Sequence, residues 1–223
     1  MSPETPVAPW LWRAVTWGVG LLAVMVAGLA LALWLGAADP PRAGPLAWED
    51  DFKHASGRWE WQATAGAALA AREGALVADF SAAGQTALAL AEAPAGDLTL
   101  EIAGAQTEGA GGAAEYGLVF GWGSPARYAA VLVNGNGYAT AFQEAGAGPQ
   151  AWFPFQQWPH ILYGAESNRV RVDIRAGRAT ARINDEWLAE FDAPGGGRLG
   201  VLAPSRGPAR VVFSWVRVWA AGP

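Results

Sequence analysis

The chain has no cysteine. Disulfides, thiol catalysis, thiolate metal ligands and a lipidated cysteine are therefore excluded. Histidine occurs only as His54 and His160, 106 positions apart and without a His-x-x-Glu-His arrangement, so no metal site is expected. Lysine occurs once, as Lys53, beside fourteen arginines, and the net charge is −5. That balance argues against a nucleic-acid partner, which calls for a basic footprint. No Asn-x-Ser/Thr sequon, Walker loop, dinucleotide fingerprint or Gly-x-Ser-x-Gly elbow occurs. No cofactor is expected.

What the chain does have is one long apolar run. The 23 residues from Ala14 to Gly36 carry no charge. About 20 apolar residues suffice to cross a bilayer's hydrocarbon core as a helix. Trp10, Trp12, Trp17 and Trp34 stand at or near its ends, where indole rings favour the water interface. A signal peptide has an apolar core of only about 7–15 residues and a more basic start, although Gly36-Ala37-Ala38 would serve as a cleavage site. The expected organisation is a cytoplasmic tail over 1–13, a single transmembrane helix over 14–36, a Pro/Gly/Ala linker over 37–47 and a folded domain over 48–219. The short leader and the size of that domain favour a cell-membrane location with the C-terminal domain outside the cytoplasm.

From Trp48 onward no long helical period appears. Short runs of period two alternate with Gly, Pro, Asn and Asp, as in Leu98–Ile102, Tyr116–Trp122, Tyr128–Val133 and Arg210–Trp219. Such spacing predicts an all-β, two-sheet antiparallel jelly-roll sandwich behind the helix. At least ten strands are expected. Ala63–Ala71 reads as a small-residue strand and Ala103–Ala114 as a loop. The clearest local feature is a hairpin. With Ala176-Gly177 as its turn, Ile174 faces Ala179, Val172 faces Ala181 and Val170 faces Ile183, and a slip of one residue would break all three matches. Ala at the first turn position is the one strained choice. Arg169, Arg171, Arg175, Arg178 and Arg182 share the other face with Asp173. They read either as a basic patch for anionic ligands or as a solvated face paired to nearby acids.

Gly117-Leu118-Val119-Phe120-Gly121-Trp122, followed by Arg127-Tyr128 and Gly137-Tyr138, resembles the middle of a concanavalin A-like lectin/glucanase jelly roll. Asn168–Val172, Ile183-Asn184-Asp185-Glu186-Trp187 and Gly197-Arg198-Leu199-Gly200-Val201 are similar to its end, and Val212–Val218 fits its closing strand. The nearest branch is that of laminin-G-like and 3-keto-disaccharide-hydrolase-like domains. Asp185 stands where that family usually has Gly. The resemblance covers Trp48 to Trp219 and implies a fold, not one function.

Glucanases of that fold carry Glu-x-Asp-x-x-Glu on one strand, because hydrolysis needs two carboxylates close together. No such run occurs, and Glu186, Glu190 and Asp192 read as surface carboxylates. An enzyme is therefore disfavoured. The aromatic side chains remain, since flat rings stack on sugars. Trp122, Tyr128, Tyr138, Trp152 and Trp158 are the candidate ligand-binding residues, with Tyr116, Phe120 and Trp122 expected on one face of one strand. The leading expectation is a membrane-anchored, non-catalytic module for carbohydrate or cell-envelope polymer. The alternatives are an accessory subunit of a membrane complex, with the helix reaching its partners through Gly18, Gly20 and Gly28, and a hydrolase of the keto-sugar branch.

Overall fold

The computed structural model describes residues 9–35, 40 and 42–220, and it divides into a helical unit and a β unit. The helix, α1, spans Pro9–Trp34. Pro fits a first helical position, where its missing N–H costs nothing. The helix therefore begins five residues before Ala14, inside the expected tail. Residues 1–8 and 36–39 lie outside the described residues.

The β unit holds fifteen strands: β1 (Leu46–Asp50), β2 (Glu60–Ala63), β3 (Ala67–Arg72), β4 (Ala75–Phe80), β5 (Thr86–Ala91), β6 (Leu98–Gly109), β7 (Glu115–Ser124), β8 (Arg127–Asn134), β9 (Tyr138–Glu144), β10 (Pro149–Gln157), β11 (Asn168–Arg175), β12 (Arg178–Ile183), β13 (Glu186–Asp192), β14 (Arg198–Pro204) and β15 (Ala209–Ala220). One sheet runs β13-β12-β11-β6-β15-β4-β3, with β1 also paired to β15; the other runs β10-β9-β8-β7-β14-β5-β2. The β15 pairings are antiparallel, as are those of β7 and β14 across the second sheet. No helix occurs among the described residues of this unit. The first strand starts at Leu46, so the end of the expected linker is already sheet.

Alternation dictates the core. Ala87, Ala89, Tyr116, Leu118, Phe120, Val131 and Val201 of the seven-stranded sheet meet Leu76, Leu100, Ile102, Val172, Ile183, Phe213 and Val216 of the other. The hairpin takes the register its pattern requires: Val170 pairs with Ile183, Val172 with Ala181 and Ile174 with Ala179. Five of those six side chains are fully buried, while Ile174 beside the turn is half-buried. Arg171 departs from a solvated face. Its side chain is 12 % exposed and pairs at 2.8 Å with the buried carboxylate of Asp173. The stretch 103–109, expected as a loop, continues β6. The reason lies in packing: a Cβ on Gly104 would stand 3.0 Å from the Phe213 ring and 3.3 Å from that of Tyr116. Small residues here make room for those two rings, which meet edge to face at 6.4 Å.

A buried amide organises one end of the sandwich. Asn168 Nδ2 donates to the Tyr116 hydroxyl and to Leu162 O, both at 3.0 Å. Its Oδ1 accepts from Leu162 N at 2.7 Å and Asn184 Nδ2 at 2.8 Å. Burial pushes the Tyr116 phenol up to about 12. The turn Asn184-Asp185 has φ of 52° and 74°, and Ala176-Gly177 has 48° and 78°, the left-handed pair that two-residue hairpins favour.

Three outcomes follow. Left-handed backbone costs a non-glycine residue about 1–2 kcal/mol, so Ala176→Gly should raise stability by about 1 kcal/mol, read as an upward shift of the β unit's melting temperature. Val172→Asp should lower it by about 3–5 kcal/mol, the cost of an unpaired buried charge; an unchanged melting curve would refute the register. Asn168→Ala should cost about 1–3 kcal/mol or more, because several buried partners lose their hydrogen bonds at once.

Candidate functional site

The seven-stranded sheet is apolar on both faces. Ala87, Ala89 and Ala91 of β5 point into the core, so Leu88 and Leu90 point outward. On that outer face they join Val119, Ala130, Leu132 and Leu202 in a second buried cluster, against which Tyr128 and Phe142 pack. Trp122 belongs to this cluster, whereas Tyr116 and Phe120 lie in the core. The expectation that all three share a face is thus corrected. The cause is a break in the ladder after Phe120, where Gly121 takes φ of 61° and the register shifts. Against β14 the shift is one residue, which turns every later side chain over.

Polar groups and accessible rings gather at the two ends of this outer face. At one end, Glu115 and Asn134 are cross-strand partners on β7 and β8, both buried. Arg206 holds Glu115, with Nε 2.6 Å from Oε1, and its guanidinium lies 4.9 Å over the Phe155 ring. Phe155 is 42 % exposed. It stacks on Tyr138 at 5.0 Å and 16°. Asn134 Oδ1 accepts from Asn136 N and Tyr138 N at 3.0 and 3.1 Å, which fixes the turn that carries Tyr138. At the other end, Arg198 pairs with Glu60 and stands opposite Trp122. Trp122 meets Tyr128 at 5.0 Å, and Tyr128 meets Phe142 edge-on at 6.0 Å. Hydrogen bonds from Gln62 and then Arg198 hold the Glu60 carboxyl below its usual range. Burial, with Glu144 nearby, raises the Tyr128 phenol. Arg198 and Arg206 are eight positions apart on one extended segment, about 26 Å at ~3.3 Å per residue.

Of the five aromatic candidates, Trp122, Tyr128 and Tyr138 fall on this face. Trp152 lies flat on Phe191 at 3.9 Å and 3°, and Trp158 meets Phe153 edge-on at 5.8 Å; both are half-buried against the main core. The arginine set is on the other sheet and is met by acids. Arg169 pairs with Glu101 and Asp185, Arg171 with Asp173, and Arg178 with Glu190 and Asp192. Arg175 donates to Leu98 O and the Thr99 hydroxyl, and Arg182 to Asp185 O. Glu101 is buried among these groups, and burial raises its carboxyl.

Sequence reasoning missed Glu115, Asn134 and Arg206, and it left Phe155 outside the five ring candidates although the ring lies in the same aromatic run. The Glu115–Asn134 pairing could have been read from the register of the β7–β8 hairpin. Arg206 carried no signal, being 91 positions from Glu115. A cavity of about 370 Å3 opens between the 93–97 and 193–197 segments, beside Phe120 and Gly177. Its one charged side chain, Asp97, is engaged by Ala176 N at 2.9 Å. Among the described residues no group of three His, Asp or Glu side chains is placed to hold a metal ion.

No family model matches the chain, and no curated protein matches it in sequence. Solved structures do match in shape. A carbohydrate-binding module, CBM66, from Bacillus subtilis superposes with a TM-score of 0.57 at 14% identity, covering 72% of this chain and 95% of its own. A protein of unknown function with a galectin-like fold from Bacillus subtilis gives 0.59 at 12% identity, covering 80% and 97%. The catalytic domain of an endo-1,3-beta-glucanase from Thermotoga petrophila gives 0.58 at 9% identity, covering 80% and 98%. At these identities the likeness is one of fold. The β unit is a two-sheet antiparallel jelly roll of the concanavalin A-like, galectin-like kind.

Proposed function

We propose that this protein is a non-catalytic carbohydrate-binding module, specifically for a cell-envelope polymer, that α1 anchors to a membrane with the β unit outside the cytoplasm. One arrangement carries the reading: the Glu115–Arg206 pair, Asn134 and the Tyr138–Phe155 stack at one end of an outer sheet face. Sugar recognition requires flat apolar rings beside a few fixed donors and acceptors. The exposed Phe155 ring can stack on a pyranose, while a charge-paired carboxylate and guanidinium offer strong, oriented hydrogen bonds to hydroxyls. The second end repeats the theme with Glu60, Arg198 and Trp122, which suits a polymer lying along β14. The neighbours of known name supply the ligand class by analogy of fold alone.

Glu60 and Glu115, the carboxylates at the two ends of this face, stand too far apart to act as a hydrolytic pair. Strand register places Glu60 and Glu115 three strand spacings and four residues apart, roughly 19 Å at standard sheet dimensions, whereas glycoside hydrolysis uses carboxylates about 5–9.5 Å apart. The anchor reading rests on a 25-residue stretch of α1, Trp10–Trp34, long and apolar enough to span.

The test is a polysaccharide and glycan-array screen of the full chain in detergent or nanodiscs. Against any polymer retained, Phe155→Ala and Glu115→Gln should each weaken binding about tenfold or more, equivalent to ~1.4 kcal/mol, with the fold unchanged by circular dichroism. Binding indifferent to both substitutions would contradict the site. Glycoside turnover that vanishes in Glu115→Gln would contradict the non-catalytic reading.

A further inference from the structure

The sandwich has a second outer face, on the eight-stranded sheet, and its chemistry differs. Register places Trp187, Arg182, Arg171, Glu101, Arg217 and Glu49 in one row across β13, β12, β11, β6, β15 and β1. Trp215 and Trp219 flank Arg217 on β15, and Leu46 of β1 pairs with Trp219. Trp187 is 52 % exposed and Leu46 51 %, with Trp215 and Trp219 partly open. Arg217 lies 4.3 Å over the Trp215 ring, and its guanidinium reaches Glu49 at 2.8 Å. From Trp187 to Leu46 the face is about 24 Å wide, five strand spacings. It therefore carries indole rings and an exposed leucine around guanidinium groups that are largely matched by carboxylates. That composition suits the boundary of a lipid bilayer, where Trp is favoured and long arginine stems keep their heads in water. Because the face is close to neutral, its attraction is to the interface itself and not to anionic headgroups.

The covalent path keeps the β unit close to the membrane. The chain enters the β unit at Leu46, on the eight-stranded sheet, and eleven residues, 35–45, separate it from the end of α1. Such a tether spans no more than about 36–40 Å fully extended, so β1 is kept within reach of whatever surface holds the helix. We infer that the outer face of the eight-stranded sheet lies on the bilayer surface through Leu46, Trp187, Trp215 and Trp219, which points the Glu115–Arg206 end of the other sheet away from the lipid. This rests on the reading of α1 as a membrane anchor. A ligand face turned outward is what a receptor for near-surface polymer needs.

The absence of native cysteine makes the test direct. Thr180→Cys places a nitroxide on the outer face of the eight-stranded sheet, and Gln62→Cys places one on the outer face of the seven-stranded sheet. Each full-length protein is reconstituted in phosphatidylcholine vesicles and floated. Contact with lipid predicts a several-fold higher ratio of oxygen to nickel-complex accessibility at position 180 than at 62, unaffected by salt. Adding Trp187→Glu to the position-180 protein should remove that difference; this ring is half exposed on an edge strand, so the fold should survive. Equal ratios at the two sites in protein that floats with the vesicles would overturn the docking and leave the anchor standing. Protein that does not float would overturn both. A ratio higher at position 62 would reverse the orientation and so refute it.

Discussion

The side chain of Asn168 is the point on which this end of the sandwich depends. It is fully buried, and its hydrogen bonds reach three separate parts of the fold: the Tyr116 hydroxyl on β7, both backbone groups of Leu162, and Asn184 in the β12–β13 turn. A buried amide left unsatisfied is costly, so these partners are held together or not at all. Tyr116 is next in sequence to Glu115. The amide that fixes the Tyr116 ring therefore also fixes the strand from which Glu115 meets Arg206, and the proposed ligand end inherits its rigidity from the core behind it.

The two sheets divide the remaining chemistry. Both bury an apolar inner face, but their outer faces diverge. On the seven-stranded sheet, aliphatic side chains pack sideways on one another in the middle, which drives aromatic rings and ion pairs to the ends. On the eight-stranded sheet, arginines alternate with acids and isolated indoles. Like-charged Arg171 and Arg182 stand directly opposite one another there. Asp173 takes the Arg171 charge, and the Asp185 carbonyl accepts from Arg182. The repulsion such a pair would otherwise suffer is thus removed within the hairpin and its turns.

How much of this was readable in the chain follows from how local each cause is. The hairpin from Arg169 to Asn184 was legible because both strands alternate and any slip exposes three apolar pairs. The jelly roll was legible from repeated short strands with turn residues between them. The face of Trp122 was not, because the register shift around Gly121 reverses the alternation, and a strand pattern gives no sign of which glycine bulges. The strand character of 103–109 was hidden by its small residues, whose purpose appears only once the Tyr116 and Phe213 rings are placed against Gly104. For the candidate site the aromatic half was partly visible, in Trp122, Tyr128 and Tyr138. Its polar half was not, since Glu115 and Arg206 are brought together only by β7 and the segment after β14.

Hydrogen exchange of the full chain, with and without a retained oligosaccharide, tests the central claim most directly. The account predicts that added ligand slows exchange in the segments around Asn134–Tyr138, Phe153–Gln157 and Ser205–Arg206. Protection confined to the 93–97 and 193–197 segments, or to the face bearing Trp215, would contradict it.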